Sequence, residues 1–256
     1  MQIDLSGRVA LVTGGGRGIG RAISLFLAEA GADVAVNYRS DAEAAEETAA
    51  EIRAMGRTAR TYAAAVEDFD QDAAMAEAVV RDFGGVDILV NNAGIASRGQ
   101  SVADTDPAEM ERVVRVHAFG PHYLCKLLIP QMRTRGRGDI IMISSVATMG
   151  MAARGGPYNM GKAAMEALAH TLAKEERPNG IHVNIVAPGL VETDMGVRLA
   201  RAFTGKRDMD DLRSLDASSP FGRVCQPLDV ANVVLWLCSP GSGYVTGQRI
   251  ECNGGG

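Results

Sequence analysis

Seven short β-rich runs alternate along this 256-residue chain with longer segments that have a helical pattern. Because most of these runs are continuously apolar, they predict buried strands of a parallel sheet that is covered by helices on both sides. The predicted strands are 8–13, 33–38, 58–64, 86–91, 138–144, 181–187 and 247–252, and the predicted helices include 18–30, 41–55, 68–83, 106–133, 158–177 and 227–238. The pattern predicts an α/β fold with a doubly wound sheet.

The chain is expected to form a single domain over residues 1–256. No linker rich in proline or serine interrupts the alternation, and no repeat of 20–50 residues is present. The segment from Gly196 to Pro220 differs, because it is polar, charged and weakly periodic. Long insertions of this kind are often functional, so we expect a substrate lid at about 194–220.

Composition excludes several classes of function. A net charge of -5 and a pI near 5.4 argue against a surface for nucleic acid or anionic lipid. The apolar runs are too short to span a bilayer, and the first residues lack the pattern of a signal peptide. The four cysteines form no C-x-x-C pair, which favours reduced thiols in a cytoplasmic protein and no metal site. They are Cys125, Cys225, Cys238 and Cys252.

The stretch "VALVTGGGRGIGRAI" runs from a predicted strand through glycines into an amphipathic helix. A dinucleotide site needs this arrangement, because the backbone must approach the pyrophosphate closely and a helix N-terminus must face it. A tight turn between strand and helix would also use glycines here. The predicted cofactor residues of this loop are Gly14, Gly16, Gly18, Ile19 and Gly20.

Two arginines predict which dinucleotide binds. Asp33 lies at the distance where an acidic residue often holds the adenine ribose, but it begins the second strand, at the wrong end of the sheet. That strand ends at Tyr38 and is followed by Arg39 and Ser40, while Arg17 lies within the glycine loop. Two guanidinium groups suit a 2′-phosphate, so we expect NADP(H). The alternative is that both arginines are solvated surface residues.

Tyr158 and Lys162 stand four positions apart in "GGPYNMGKAAM". On a helix this spacing places both side chains on one face, close enough to interact. The two residues either take part in catalysis or simply pack, with the tyrosine ring against the aliphatic part of the lysine side chain. The spacing by itself does not distinguish these alternatives.

Six landmarks resemble the short-chain dehydrogenase/reductase family, most of all its 3-oxoacyl-carrier-protein reductases and related ketoreductases and alcohol dehydrogenases. They are "TGGGRGIG" (13–20), "NNAG" (91–94), "SS" (144–145), "YNMGK" (158–162), "NIVAPGLVETDM" (184–195) and "YVTGQ" (244–248). The resemblance implies a seven-stranded parallel Rossmann sheet and covers nearly the whole chain.

The same resemblance implies residue roles. Tyr158 would be the acid/base, Lys162 would lower its pKa and bind the nicotinamide ribose, and Ser145 would bind the substrate oxygen. Lowering a tyrosine pKa by ~3 units requires roughly 4 kcal/mol of preferential stabilisation of the phenolate. Further cofactor contacts are implied for Asn91, Ala93 and Gly94 on the adenosine half and for Pro188, Gly189, Val191 and Thr193 around the nicotinamide.

Three positions depart from the family pattern. The family usually has asparagine where His117 opens "HAFG", and that asparagine distorts its helix so that a backbone carbonyl holds a water. His117 would either replace it through its carbonyl, with Gly120-Pro121 supplying the distortion, or titrate in the proton relay. Ala65 stands where Asp or Asn commonly reaches the adenine, and Asn179 where carrier-protein reductases tend to have arginine.

The favoured function is an NADP(H)-dependent oxidoreductase that interconverts a ketone, small or thioester-linked, and a secondary alcohol. A carrier-protein reductase of fatty-acid synthesis is the alternative, and its acidic partner would have to dock on Arg133, Arg135 and Arg137. Sugar-nucleotide epimerases use similar tyrosine–lysine pairs but usually add a larger C-terminal domain. A nucleotide sensor without activity is disfavoured because Ser145, Tyr158 and Lys162 are all present.

Substrate and assembly are the least constrained features. Candidate substrate residues are Ser97, Arg98, Met151, Arg154 and Leu190. The apolar helices at 106–133 and 158–177 predict a homotetramer or homodimer through twofold pairing, unless their apolar residues face only the sheet.

Overall fold

The computed structural model describes residues 3–204 and 208–255, which contain one seven-stranded sheet in the order β3-β2-β1-β4-β5-β6-β7. Every neighbouring pair of strands is parallel. The strands are β1 Val9–Val12, β2 Asp33–Tyr38, β3 Ala59–Ala63, β4 Ile88–Asn91, β5 Gly138–Ile143, β6 Ile181–Pro188 and β7 Arg249–Cys252. The predicted doubly wound Rossmann fold is confirmed.

Helices cover both faces of this sheet. They are α1 Gly18–Glu29, α2 Ala42–Ala54, α3 Phe69–Phe83, α4 Pro107–Val114, α5 Gly120–Met132, α6 Ala147–Gly150, α7 Gly156–Glu176, α8 Asp194–Thr204 and α9 Pro227–Leu237. Alternate residues of β1 point to opposite faces of the sheet and join different hydrophobic cores. Ala10 and Val12 pack with α1 and α9, and Leu11 packs with α5 and α7. No helix within these described ranges is long and apolar enough to cross a membrane.

The single helix predicted over 106–133 is wrong in one respect. A π-helical turn, Arg115–Phe119, separates α4 from α5, and the Gly120 N–H donates to the carbonyl of Arg115. Pro121 explains the interruption, because it has no N–H for the carbonyl of His117, its partner in an uninterrupted α-helix. Gly120 also lies so close to the Val66 carbonyl that a Cβ would stand 2.6 Å from its oxygen.

The predicted lid is more regular than its composition indicated. α8 opens it, and short 3₁₀ helices at Arg213–Ser218 and Pro220–Gly222 return the chain to α9; residues 205–207 of the lid lie outside the described residues. A small core of its own joins these pieces, with Leu190, Val197 and Leu215 at its border. Its buried members are Ala200, Met209, Leu212 and Val224.

Candidate active site

Three of the four predicted catalytic residues, all except His117, meet at the carboxyl edge of the sheet. Ser145 lies just beyond β5, and α7 carries Tyr158 and Lys162. The Lys162 ammonium donates to the carbonyl of Ile143, the last residue of β5, at 2.6 Å, and lies 5.9 Å from the centre of the Tyr158 ring. The Ser145 hydroxyl lies next to that of Tyr158, as its hydrogen-bonding contribution to the pKa of Tyr158 indicates. The helix spacing and the strand end therefore bring these groups together.

Burial dominates the electrostatics of the pair. It lowers the pKa of Lys162 to about 7, with the Glu166 carboxylate acting in the opposite direction. It raises the pKa of Tyr158 above its ordinary value, and the hydrogen bond with Ser145 opposes that increase. A pKa of about 7 leaves a fraction of Lys162 charged near neutrality, and the charged form favours a Tyr158 phenolate while burial opposes it.

An ion pair beneath Ser145 was missed by the sequence analysis. Glu166 accepts hydrogen bonds from the hydroxyls of Ser144 and Thr148 and from the Arg249 guanidinium, which lies 3.1 Å away. Arg249 also donates to the carbonyl of Ser145 at 3.2 Å and to the Thr148 hydroxyl at 3.0 Å. This network fixes the segment that carries Ser145 against α7 and β7.

One half of this network could have been found in the sequence. Glu166 follows Lys162 by four residues on α7, so both side chains lie on the same face. Arg249 is 83 residues away in the chain and is brought to Glu166 only by the pairing of β6 with β7.

His117 is a buried, neutral ring. Its Nε2 lies 2.8 Å from the carbonyl oxygen of Ile95, and its ring meets the Tyr158 ring edge-on at 5.1 Å. Burial, with a further contribution from Lys162, lowers the pKa of His117 well below its ordinary value. Its Nδ1 has no hydrogen-bond partner among the described residues. These surroundings disfavour a titrating histidine and favour the alternative in which the distorted helix and its backbone act.

The glycine loop, residues 13–20, leaves no room for a side chain at Gly16 or Gly20. A Cβ at Gly16 would stand 2.8 Å from the backbone of Ala45, and one at Gly20 would stand 2.2 Å from the carbonyl oxygen of Gly14. Gly18 has φ +53 and packs against Thr193. Ile19, next to it, packs into the core under α1. The loop is therefore a tight turn that also keeps backbone open to a ligand.

The start of α1 fits an anion. Asp41, Asp68 and Asp106 cap α2, α3 and α4, whereas the described residues provide no capping side chain and no acidic residue for the first turn of α1. Uncapped N–H groups at a helix N-terminus bind phosphate well. The glycine loop and this helix end together fit the pyrophosphate of a dinucleotide.

The two arginines of the predicted phosphate site are exposed but have neighbours. Arg39 lies 3.5 Å from a Glu67 carboxylate oxygen, and Arg17 lies 3.9 Å from Asp41, which directly follows Ser40. More than half of each arginine side chain is exposed, so such pairs contribute little and leave both guanidinium groups available. Asp41, which the sequence analysis did not consider, places a carboxylate close to this strand end.

Asp33 begins β2, as expected, and accepts a hydrogen bond from the backbone N–H of Thr58 at 2.7 Å. Its carboxylate is therefore used at the amino edge of the sheet, away from the glycine loop.

Of the two asparagines in "NNAG", the second supports the glycine loop. Asn92 donates to the carbonyls of Thr13 and Gly14, at 2.9 and 3.3 Å. The Asn91 side chain is buried and donates to the Met142 sulfur, so only its backbone is free to approach a cofactor. Asn92 was missed, although strand alternation puts adjacent residues on opposite sides.

Ala93 and Gly94 continue from this strand end. The backbone N–H of Ala93 donates to the Thr13 hydroxyl at 2.9 Å, and a Cβ at Gly94 would stand 2.8 Å from Cε1 of His117. The residues after β4 are thus packed directly against the π-helical turn.

The residues predicted around the nicotinamide connect the sheet to the lid. Pro188 ends β6, and the Gly189 N–H donates to the carbonyl of Cys252 at 3.0 Å. Val191 forms an isolated bridge with Cys225, and the Thr193 hydroxyl accepts from the N–H of Gly196 at the start of α8.

Comparison with known proteins agrees with this geometry. A family model described as "Enoyl-(Acyl carrier protein) reductase" matches residues 14–256. Versicolorin reductase stcU of Emericella nidulans is 38% identical over 98% of this chain and 96% of its own. The chain belongs to the short-chain dehydrogenase/reductase family. It is therefore an oxidoreductase of the NAD(P)-dependent kind.

Further family members support the same assignment. The 3-oxoacyl-[acyl-carrier-protein] reductase FabG of Aquifex aeolicus is 36% identical over 100% of this chain and 99% of its own. The structure of L-sorbose reductase from Gluconobacter frateurii, complexed with NADPH and L-sorbose, is 30% identical and has a TM-score of 0.91, with 99% of this chain and 98% of that chain covered. Other solved members hold NADH or NAD+, so family membership alone does not determine whether the cofactor carries a 2′-phosphate.

The candidate substrate residues lie on segments outside the strands and helices. Ser97 is half-buried, and Arg98 lies 3.5 Å from the buried Glu109. Met151 and Arg154 have φ values of 43 and 65, a left-handed conformation that costs energy for side chains other than glycine. Leu190 packs against the lid core.

The basic run before β5 lies far from this site. Arg133, Arg135 and Arg137 pair with Glu176, Asp87 and Asp139. They precede β5, whereas Ser145 follows it, and a six-residue strand separates the two edges by about 20 Å. The cluster is therefore a set of ion pairs at the amino edge of the sheet.

Proposed function

We propose that this protein is an NADP(H)-dependent reductase that interconverts a ketone and a secondary alcohol, with Tyr158 as acid/base. The observation that carries the proposal is the meeting of Ser145, Tyr158 and Lys162 beside the glycine loop. Further support comes from a versicolorin reductase and a 3-oxoacyl-[acyl-carrier-protein] reductase that are similar to this protein over nearly the whole chain.

A bound nicotinamide cofactor supplies or accepts the hydride. The Ser145 hydroxyl donates a hydrogen bond to the substrate carbonyl oxygen, and the Tyr158 hydroxyl gives its proton to the same oxygen as negative charge develops there. A charged Lys162 stabilises the phenolate that remains. Because the pKa of Lys162 is about 7, its charged form is available near neutrality.

The cofactor would be held by the chain in three places. The glycine loop and the start of α1 would bind the pyrophosphate, Arg17, Arg39 and Ser40 the 2′-phosphate, and Lys162 the nicotinamide ribose. The remaining contacts would come from Asn91, Ala93, Gly94, Pro188, Gly189, Val191 and Thr193.

The distorted helix is proposed to serve the proton path. Pro121 removes the α-helical donor of the His117 carbonyl, and His117 stays neutral and packed on Tyr158. The backbone of this turn, and not imidazole titration, would then hold a water that connects Lys162 to solvent.

A panel of ketones measured with NADPH and with NADH tests the proposal. We expect turnover of at least one ketone class and higher kcat/KM with NADPH. Equal efficiency with both cofactors would reject the NADP(H) assignment. Tight cofactor binding without turnover of any ketone or alcohol would instead favour a nucleotide sensor.

The more specific role in fatty-acid synthesis has the FabG relative in its favour. Against it stands the position of Arg133, Arg135 and Arg137, which are ion-paired and lie at the opposite edge of the sheet. We therefore expect kcat/KM for a free or coenzyme-linked 3-oxo ester to equal or exceed that for its carrier-bound form. A large carrier advantage that is lost in high salt and in Arg135→Glu would restore the fatty-acid role.

We also propose self-association into a tetramer. Ile129, Leu168 and Leu172 line a groove between α5 and α7, and α9 exposes Leu228 and Trp236 on another side. Two such surfaces suit two different twofold interfaces. Sedimentation at micromolar concentration should give a tetramer, or a dimer if only one surface pairs, and an active monomer would reject the proposal.

A further inference from the structure

Two cysteines that are far apart in the chain lie side by side at the base of the lid. The Sγ atoms of Cys225 and Cys252 are 4.0 Å apart, and both side chains are partly exposed. Cys252 ends β7, and Cys225 lies between the lid and α9. Cys125 and Cys238 are, by contrast, buried.

The surroundings of this thiol pair make its members unequal. The hydrogen bond from the Cys225 thiol lowers the pKa of Cys252 and raises that of Cys225. Arg223 favours the thiolate form of Cys252, whereas Asp229, which pairs with Arg223, disfavours it. Burial raises the pKa of Cys125 to about 12 and that of Cys238 well above its ordinary value. Peroxides react with thiolates that they can reach, which singles out Cys252.

We propose that Cys225 and Cys252 form an oxidation site for small hydroperoxides that closes to a disulfide and restrains the lid. The Cys252 thiolate attacks a peroxide oxygen, so that an S–O bond forms, the O–O bond breaks and water or an alcohol leaves. The Cys225 sulfur then attacks the sulfenic sulfur, an S–S bond forms, and the hydroxyl group leaves as water with the Cys225 proton. Two thiols lose two electrons and the peroxide gains them.

The position of the pair connects this chemistry to the cleft. The Cys225 carbonyl accepts from the N–H of Glu192, and the Cys252 carbonyl accepts from the N–H of Gly189. Beyond Cys252, the chain packs so tightly on the lid that a Cβ at Gly254 would stand 2.3 Å from Pro220. A covalent bond between the two cysteines would therefore tie the returning end of the lid to β7.

Hydrogen peroxide is the probe for the test. We expect peptide mapping of the treated protein to show a 225–252 disulfide, while Cys125 and Cys238 remain alkylatable after unfolding. Ketone turnover should fall and should return on treatment with dithiothreitol. In Cys225→Ser, a cyclic 1,3-dione should trap a sulfenic acid on Cys252, and Cys252→Ser should show much less labelling at Cys225.

Three results would overturn the inference. The first is oxidation of Cys125 or Cys238 before this pair, and the second is an intermolecular disulfide instead of the 225–252 bond. The third is a loss of turnover on peroxide treatment that is as large in a Cys225→Ser/Cys252→Ser double variant as in the unmodified protein. A disulfide that leaves turnover unchanged would reject the restraint on the lid. The turnover readout rests on the proposed function, but the mapping does not, so inactivity of the reduced protein would reject that function and leave the thiol result readable.

Discussion

The two sides of the cleft are built in different ways. The cofactor side is made of strand ends and the glycine loop, where added Cβ atoms at Gly16 or Gly20 would meet backbone. The substrate side is made of the 151–155 segment and the lid, with left-handed Met151 and Arg154 and a small core of its own. Under the proposed function, we expect the sheet to constrain cofactor binding and proton transfer tightly, and substrate choice to depend on segments that can change without altering the sheet.

This difference predicts that substitutions at the sheet edge act on chemistry or cofactor affinity, and that those on the substrate side act mainly on substrate selection. The following substitutions test it, from the largest expected effect to the smallest.

Tyr158→Phe should reduce turnover by about 10²- to 10⁴-fold, the usual contribution of a positioned general acid. NADPH affinity should stay nearly unchanged, because the ring remains packed on His117. Tyr123→Phe, on α5, is the matched control and should retain activity. The measurements are steady-state kinetics and calorimetric cofactor titration, and near-normal turnover in a folded Tyr158→Phe would remove Tyr158 from the mechanism.

Arg39→Ala should cost about 10- to 100-fold in kcat/KM with NADPH, because one charge-assisted hydrogen bond contributes roughly 1.5–3 kcal/mol. Kinetics with NADH should hardly change, since a free ribose hydroxyl needs no guanidinium. Arg60→Ala, an exposed arginine of β3, serves as control. An equal loss with both cofactors would mean that Arg39 has a structural role only.

Glu166→Gln should lower kcat about tenfold, since it weakens the charged hydrogen bonds that fix the segment of Ser145. It should also change the pH profile. Glu166 raises the pKa of Lys162, so its removal should lower that pKa further below about 7. Charged lysine is lost as pH rises through its pKa, and the alkaline limb of the pH profile of kcat should therefore move to lower pH.

Glu175→Gln, at an exposed position on the same helix, is the control and should leave the pH profile unchanged. If Glu166 had only a structural role, Glu166→Gln would lower kcat without moving the alkaline limb.

Asp72 marks a weak point in the packing of α3. Its carboxylate is buried on α3, both oxygens lack hydrogen-bond partners among the described residues, and burial raises its pKa to about 8. The folded state thus holds a proton that the unfolded state releases above about 4, so the stability contribution of Asp72 falls as pH rises from about 4 to about 8. Asp72→Val should raise the free energy of unfolding by about 1–3 kcal/mol at pH 8.

The gain from Asp72→Val should shrink toward pH 4, where the acid is neutral in both states. Urea unfolding at several pH values measures it, with exposed Asp70→Asn as control. A gain independent of pH would show that Asp72 does not titrate in this range.

Met151→Gly should have the smallest effect. Glycine removes the cost of φ 43, and its greater unfolded entropy offsets this, so the free energy of unfolding should change by less than about 1 kcal/mol. KM should change by different factors for different ketones, with NADPH affinity unaltered. Met149→Gly, in the helical α6, should instead lose about 0.5–1 kcal/mol. A changed NADPH affinity in Met151→Gly would contradict the separation of the two sides.

The sequence predicted the features that depend on short-range geometry. A continuous run of apolar residues predicts a buried strand, and the eight residues of the glycine loop predict a tight turn. Tyr158 and Lys162 share a helix face because a helix has 3.6 residues per turn. The fold was predictable for the same reason, since alternating strands and helices leave few ways to bury both faces of a sheet. The helix over 106–133 was predicted as continuous because its period hides the π turn before Pro121.

Only the tertiary structure decided which distant groups meet and how much water surrounds them. Arg249 reaches Glu166 and Cys252 reaches Cys225 through strand pairing, and Arg135 meets Asp87 at the far edge of the sheet. Burial, which no local pattern measures, makes His117 neutral and brings the pKa of Lys162 to about 7. Charge and reactivity depend on desolvation and on neighbours in space, and both arise only when the chain has closed around them.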